Sequence, residues 1–375
     1  MTQVLLTSNL YLPNIGGIEN SLYYLAKAGV QQQDEVTIIS SNVVAGADPL
    51  TIDEEEIEGF RVKRYRMTKY PSKLKSVIEA CRSALACYST KAKTYDVVVA
   101  RYHLSVVFLY LAGHRGIKYL VPGVVKYRNT YKNAWKQGKG TFVRYAANRL
   151  VQSIALRLCD ETYVFSQLMH DQVKSVHPGA EPKFVLPGVD LKRYHHVPRE
   201  RRDEQCRLLV VGRLVQDKGI DLAIKALVQL PPRFTLTLVG DGPDHGKLVA
   251  LAEALGVSDR VAFVGRSNTP EQYYQSSDLF LMTSNYEPFG QTILEATACG
   301  LPVVAFDQNC VKTNTRVILG ELGFFAEAYQ PEPLAQQILA AAQSLEQDSS
   351  LPQRLMAYAN ANFSWDKLYK DLTNA

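Results

Sequence analysis

With 375 residues, 46% of them hydrophobic and 21% charged, the chain has an ordinary globular composition and enough length for two cores. No run of about 18 apolar residues is present, and the six cysteines form no C-x-x-C pair, so neither a membrane-spanning helix nor a thiolate metal site is expected. The formal net charge of +5 hides an asymmetry: Val97 to Cys159 holds eleven Arg or Lys and not one Asp or Glu, which leaves −6 for the rest of the chain. A segment carrying all of the excess should face something anionic.

Taken in order, Val4–Thr7 reads as a short buried strand, and no basic n-region or cleavage site precedes it, so no secretory signal is expected. Gly16 and Gly17 follow, then a helix from about Gly17 to Val30 with Leu22, Leu25 and Ala26 inward. A strand, two glycines and a helix let backbone N–H groups approach phosphate oxygens, although a tight turn is the commoner reason for a bare Gly-Gly. Strands are expected over 36–40 and 60–65, with the acidic run Asp53–Glu56 between them as a solvated loop. A helix over 72–93 leads to a strand over 96–100, and Arg101, Tyr102 and His103 fall at its carboxyl end, the edge where parallel sheets bind ligands. A lone histidine is more often structural, so His103 enters as a candidate only.

The strand near 118–121 runs into Pro122-Gly123. Beyond it Tyr127, Tyr131, Trp135 and Phe142 interleave with Lys126, Arg128, Lys132, Lys136, Lys139 and Arg144. Aromatic and basic residues so mixed suit an anionic membrane surface, where each cation contributes about 1 kcal/mol, or nucleic acid through phosphate contacts and stacking. A merely solvated basic face is the plainer alternative. No nucleic-acid motif accompanies the stretch, which favours an anionic lipid or lipid-linked acceptor. A helix over 141–158, a strand over 161–165 and a helix near 167–176 complete the first half, which ends at Phe184–Asp190. The polar run 198–205 reads as a linker.

The second half alternates strands, near 207–211, 235–239, 261–264, 278–282, 302–306 and 324–325, with helices. This is the rhythm of a doubly wound parallel sheet, so the fold class is α/β. Gly212-Arg213-Leu214 and Lys218-Gly219 stand just past the first of these strands. Two fixed cations there can neutralise a diphosphate leaving group, and on spacing alone a surface Arg and Lys is as good an account. Gly240-Asp-Gly-Pro lacks the last glycine of a dinucleotide fingerprint. Arg266 lies on the loop after the next strand, which is a candidate for contact with a base or a plain turn. Between Leu279–Met282 and Pro302–Phe306, Gly290 opens a helix that stops at Gly300, placing Glu287 on the loop and Glu295 on the helix. An ionised carboxylate accepts from sugar hydroxyls, although a helix-dipole partner and a solvated Glu are the commoner account of such a pair taken alone.

Glu287-Pro-Phe-Gly290, Glu295-Ala296, Cys299-Gly-Leu-Pro-Val-Val304, Gly212-Arg-Leu with Lys218-Gly, and Pro13-Asn-Ile-Gly-Gly-Ile-Glu19 together resemble the retaining glycosyltransferases of family 4. The resemblance covers nearly the whole chain, most strongly 205–306. It implies the GT-B fold: two Rossmann-like domains facing a cleft, an acceptor-side domain over 1–190 with a terminal helix over 363–375 packing back on it, and a nucleotide-sugar domain over 205–362. It implies that Arg213 and Lys218 stabilise the diphosphate, that Glu287 touches the donor sugar and that Glu295 holds the ribose. Donor contacts are further implied for Gly16, Gly17, Gly212, Gly240, Arg266, Phe289, Gly290, Gln291 and Thr292. No cofactor is implied, and a metal-independent site is expected, since cations and a helix N-terminus replace the metal and no Asp-x-Asp pair occurs. This sequence departs from the family in having no His after the strand near 118–121, which leaves either His103 or no residue at all for acid–base work. It also has Pro187 where the family's interdomain element commonly has Asn.

The resulting expectation is a retaining transferase moving a sugar from a UDP- or GDP-type donor to a glycan or lipid-linked acceptor in cell-surface glycan synthesis. It would be cytoplasmic, on the inner face of the membrane, with Lys126, Arg128, Lys132, Trp135, Lys136 and Lys139 toward membrane or acceptor and no nucleic-acid partner. A nucleotide-sugar epimerase of the same architecture and a non-catalytic binding subunit are the alternatives. A nicotinamide-dependent oxidoreductase lacks its glycine fingerprint.

Overall fold

Val4, Leu5 and Leu6 are fully buried because their strand runs down the middle of a parallel sheet covered on both faces. The computed structural model describes residues 1–14, 16–68, 70–89, 94–128, 131–198, 204–287 and 289–374, with backbone alone for Arg128, Lys132 and Asn133. The chain divides into two units, Met1–Gly188 with Trp365–Ala375, and Val189–Ser364.

The first unit holds strands β1 (Gln3–Thr7), β2 (Glu35–Ser41), β3 (Glu54–Ile57), β4 (Phe60–Tyr65), β5 (Val97–Ala100), β6 (Ile117–Leu120), β7 (Glu161–Val164) and β8 (Lys183–Phe184). Their order is β3-β4-β2-β1-β5-β6-β7-β8, parallel throughout except for β3. The direction of winding reverses between β1 and β5, so the loops that follow these two strands diverge and open a crevice at their carboxyl ends. The glycine loop after β1 and Arg101–His103 after β5 are those loops.

The acidic run expected as a solvated loop is instead the edge strand β3. Its acids meet cations of β4: Glu54 pairs with Arg61 at 3.2 Å and Lys63 at 3.7 Å, and Glu55 with Arg64. Opposite charges facing each other across an antiparallel pair stabilise the strand, and the charge suits an edge. The helix expected over 72–93 runs Lys73–Tyr88.

The helix Trp365–Thr373 belongs to this first unit. Trp365 stacks on Tyr24 with centroids 5.4 Å apart, Tyr369 donates to Asp34 at 2.9 Å, and Lys118 donates to the Leu372 carbonyl at 2.8 Å. A Cβ on Gly188 would lie 2.4 Å from the Trp365 ring, so the chain can pass beneath the indole only as glycine.

The second unit carries β9 (Cys206–Val211), β10 (Phe234–Val239), β11 (Val261–Gly265), β12 (Leu279–Met282), β13 (Tyr286–Glu287), β14 (Val303–Phe306), β15 (Lys312–Thr313) and β16 (Phe324–Ala326). Six form an all-parallel sheet ordered β11-β10-β9-β12-β14-β16, and β13 pairs with β15 separately. Each face has its own core. Leu208, Leu236, Leu281 and Val304 meet helices Ile220–Leu227 and Pro331–Gln347 on one side. Leu209, Phe280, Val303 and Ala305 meet helix Gln291–Ala298 on the other. Here the winding reverses between β9 and β12.

Candidate functional site

At that reversal the loops after β9 and β12 are tied together. Gly219 has φ +58°, and a Cβ on it would fall 2.3 Å from the Thr283 carbonyl oxygen, so glycine is what lets the two loops touch. Thr283 Oγ1 then donates to the Lys218 carbonyl at 2.7 Å, and the Asn285 N–H donates to Asp217 O at 3.0 Å. Held this way, Lys218 Nζ reaches Glu287 Oε2 at 2.5 Å. The other carboxylate oxygen, Oε1, accepts from the Gly290 N–H at 3.2 Å. Lys218 and Glu287 keep 24% and 19% of their side-chain surfaces exposed, so an incoming ligand can meet both.

Gly290, with φ +85°, caps the helix Gln291–Ala298. The first-turn N–H groups of that helix, at Gln291 and Thr292, have no carbonyl of their own helix to bond and carry its positive dipole end. Phe289 packs on the core beneath the loop. The carboxyl ends of β9, β10 and β11 form the floor next to Lys218. Gly240 donates to the Gly265 carbonyl at 2.8 Å, and a Cβ on Gly240 would sit 1.8 Å from Gly212 O. Gly212 in turn faces the Lys218 stem. Arg213 is exposed and makes no ion pair among the described residues. Arg266 is 85% exposed and 3.5 Å from Asp241, at the outer end of this floor.

The two carboxyls the sequence singled out occupy opposite environments. Glu287 faces an ammonium; Glu295 faces phenols, accepting from Tyr274 at 2.8 Å and from Tyr194. Burial pushes the Glu295 carboxyl up to about 7, against the pull of these hydrogen bonds and of Arg193. Tyr194 and Tyr274 were not foreseen as neighbours of Glu295. Their aromatic character is visible in the sequence, but the fold alone brings them to the helix.

The remaining candidates lie in the first unit. Gly16 precedes the helix Gly17–Gln31, and the Glu19 carboxylate folds back to within 2.5 Å of where a Gly16 Cβ would stand, while Gly17 faces open space. Burial raises the Glu19 carboxyl, and Arg101 at the end of β5 opposes that shift. His103 is buried at the start of the helix His103–Leu111, with Nε2 3.3 Å from Asn148 Oδ1. Lys126 sits on the short helix Val125–Arg128, Trp135 and Lys136 end the helix Tyr131–Lys136, and Lys139 begins the long helix Lys139–Leu158. Trp135 is 58% exposed and meets Phe142 edge-on at 5.2 Å, and Lys136 and Lys139 are exposed. The Arg128 and Lys132 side chains lie outside the described residues. No helix of the described residues is long and apolar enough to cross a membrane, and no group of three or more His, Cys, Asp or Glu among them is placed to hold a metal ion.

Residues 15–193 match the model described as Glycosyltransferase Family 4, and residues 193–361 the model described as Glycosyl transferases group 1. The chain belongs to glycosyltransferase family 4. This family 4 protein is 32% identical over 226 residues to glycogen synthase of Mycobacterium tuberculosis, covering 57% of the chain and 53% of the relative. It is 41% identical over 98 residues to the lipopolysaccharide core biosynthesis glycosyltransferase LpsE of Rhizobium meliloti, covering 26% and 28%. The chain thus spans about half the length, or less, of these curated relatives. Its architecture is the GT-B fold: Anabaena Alr3699/HepE, solved in complex with UDP and glucose, superposes with a TM-score of 0.75 at 20% identity, covering 100% of this chain and 99% of that one.

Proposed function

We propose that this protein is a retaining glycosyltransferase that takes its sugar from a nucleoside-diphosphate donor. The observation that carries the proposal is the meeting of Lys218, Glu287 and the N-terminus of helix Gln291–Ala298 where the second sheet reverses its winding. An ammonium and a helix N-terminus side by side suit a diphosphate, and the carboxylate between them suits the hydroxyls of the sugar it carries. Arg213, with its guanidinium in solvent, adds the second cation. Glu295 takes the ribose hydroxyls, Arg266 and the Gly212–Gly240 floor lie toward the base, and Phe289 shapes the wall. UDP is the first donor nucleotide to test, because HepE binds UDP and glucose on the same fold.

In the transfer step the bond between the anomeric carbon and the β-phosphate oxygen breaks, and its electron pair stays on the phosphate. Lys218, Arg213 and the helix N–H groups stabilise the charge that grows there. The acceptor oxygen bonds to the same face of the anomeric carbon and gives its proton to the departing phosphate oxygen, so retention needs no covalent enzyme adduct. A trapped glycosyl–Glu287 ester would overturn this route. No metal enters it. Gly16, Gly17 and His103 of the first unit are the proposed contacts for donor phosphate, acceptor and reacting sugar.

The acceptor is a glycan or lipid-linked sugar of the cell surface, reached from the cytoplasmic face by peripheral binding to an anionic membrane. The acid-free segment with its exposed Trp135, Lys136 and Lys139 supports this part, and LpsE, a lipopolysaccharide core enzyme by name, is a relative. A thermal-shift series with UDP, GDP, ADP, CMP and NAD, with and without magnesium, tests the whole. One diphosphate at about 100 times its Kd should add roughly 2.7 kcal/mol without metal. A response to NAD alone would remove the transferase assignment, and sugar isomerisation with no acceptor present would favour an epimerase.

A further inference from the structure

The first unit contains a cavity of about 170 Å³ that the donor chemistry does not use. It is lined by Lys126, by Arg149, Gln152 and Ser153 of the long helix Lys139–Leu158, and by Ser175 and Val176 beyond the helix Gln167–Lys174. A water needs roughly 10–15 Å³ of such space, so there is room for a solute several times larger.

Its walls are built rather than casual. Gln152, 2% exposed, accepts from the Val125 N–H at 2.7 Å and donates to the Gly123 carbonyl at 2.9 Å, which fixes the Lys126 helix against the long helix. Arg149 lies with its guanidinium over the Tyr131 ring at 4.7 Å and beside Tyr145 at 5.8 Å, so the plane of its donors is set by stacking. Lys126 Nζ is 3.4 Å from Ser175 Oγ. Ser153 Oγ accepts from Arg157, which leaves its own O–H to donate.

The charges are unbalanced. Neither Lys126 nor Arg149 forms an ion pair among the described residues, and their whole segment contains no acid. Asp171, on the neighbouring helix, is bound by His170 and Gln167 of its own turn. Two fixed cations and a hydroxyl donor converging without a carboxylate complement a group that only accepts and carries more than one negative charge. One position round the same helix from Arg149 and Ser153 stand Leu150 and Ile154, 63% and 39% exposed. Four positions apart, these two form an exposed apolar strip on the helix that carries Arg149 and Ser153.

We propose that this cavity seats the phosphate ester of an amphiphile, its apolar chain lying along Leu150 and Ile154. The seat is independent of the donor site and sharpens the proposed membrane association by naming the group recognised. The test uses the full chain. Calorimetry with soluble glycerol phosphate should show binding to the wild type and to a Lys136→Gln/Lys139→Gln double variant, which loses two charges outside the cavity. Arg149→Gln should bind tenfold or more weakly, and Ser153→Ala, which keeps all charge, severalfold more weakly, with circular dichroism melts confirming that both are folded. Saturating glycerol phosphate should also release the wild type from vesicles of phosphatidylcholine with phosphatidic acid. Absence of glycerol phosphate binding, or equal binding by Arg149→Gln, would overturn the seat. Binding that leaves vesicle association untouched would overturn the amphiphile and assign the cavity to a soluble phosphate. Wild-type protein that never pellets with anionic vesicles, yet binds glycerol phosphate through Arg149, would sink the membrane association while keeping the phosphate seat.

Discussion

At the scale of single residues, Lys218 and Glu287 are mutual partners that a ligand must share. Lys218→Ala should weaken diphosphate binding on the order of tenfold, the usual cost of losing a charged hydrogen-bond partner, and a nucleotide titration measures it. Glu287→Gln keeps the shape and leaves Lys218 free for phosphate, so binding should persist while transfer falls, which steady-state rates separate. Glu295 makes a prediction about pH. Its folded carboxyl titrates near 7, above the ordinary value of 4.5. Between those values the folded state holds more proton than the unfolded one, so Glu295 lowers stability as pH rises through that window, and its contribution is level above it. Glu295→Gln should therefore flatten the decline in Tm from pH 5 to pH 8, with its gain over the wild type largest at the alkaline end. With the ribose hydroxyls donating to the ionised Glu295 carboxylate, diphosphate binding near pH 6.5 will also release protons, seen as a buffer-dependent binding heat.

At the scale of elements, glycines decide how closely the loops approach. Gly240 holds φ +140° and sits against Gly212 O, so Gly240→Ala combines a clash with a backbone strain of roughly 1–3 kcal/mol. The expected outcome is a lowered melt and lost nucleotide response together. The helix Trp365–Thr373 is a second such element. Leu368, Tyr369 and Leu372 are fully buried in the first unit, each contributing about 1.5–3 kcal/mol of apolar burial. Ending the chain after Ser364 should cost that unit several kcal/mol, read as a lower urea midpoint, because it also strips Lys118 of the Leu372 carbonyl.

For the whole molecule, the donor residues proposed in Val189–Ser364 lie on loops after four different strands. Hydrogen exchange with and without the diphosphate should therefore show protection at 212–219, 240–242 and 287–292 together, while the buried strands, already protected, do not change. Protection spread evenly over both units would instead indicate a global stabilisation without this site. The basic segment should act separately: vesicle association should weaken with added salt, since exposed cations are screened beyond about 10 Å at 0.1 M.

Much of this was legible in the residues, and for definite reasons. Strands buried on both faces announce themselves as apolar runs, so Val97–Ala100, Leu279–Met282 and Val303–Phe306 are visible without a partner. Gly290 and Gly300, both at positive φ, bracket the site helix by backbone chemistry that acts within a few residues. Local rules failed where charge is answered across a sheet, as in the strand Glu54–Ile57, whose acids read as solvated until Arg61, Lys63 and Arg64 are set opposite them. They failed again at Glu295, whose proton is held by burial against the opposing hydrogen bonds of Tyr274 and Tyr194 from other segments, and at the cavity of Arg149 and Ser153, which needs three helices to enclose it. The sequence by itself determined the alternation of strands and helices, the family and the identity of the charged groups, because each of these is written in short-range pattern. Only the tertiary structure decided which charges are neutralised and which are left facing a ligand, because electrostatic partnership depends on distances that chain order does not encode.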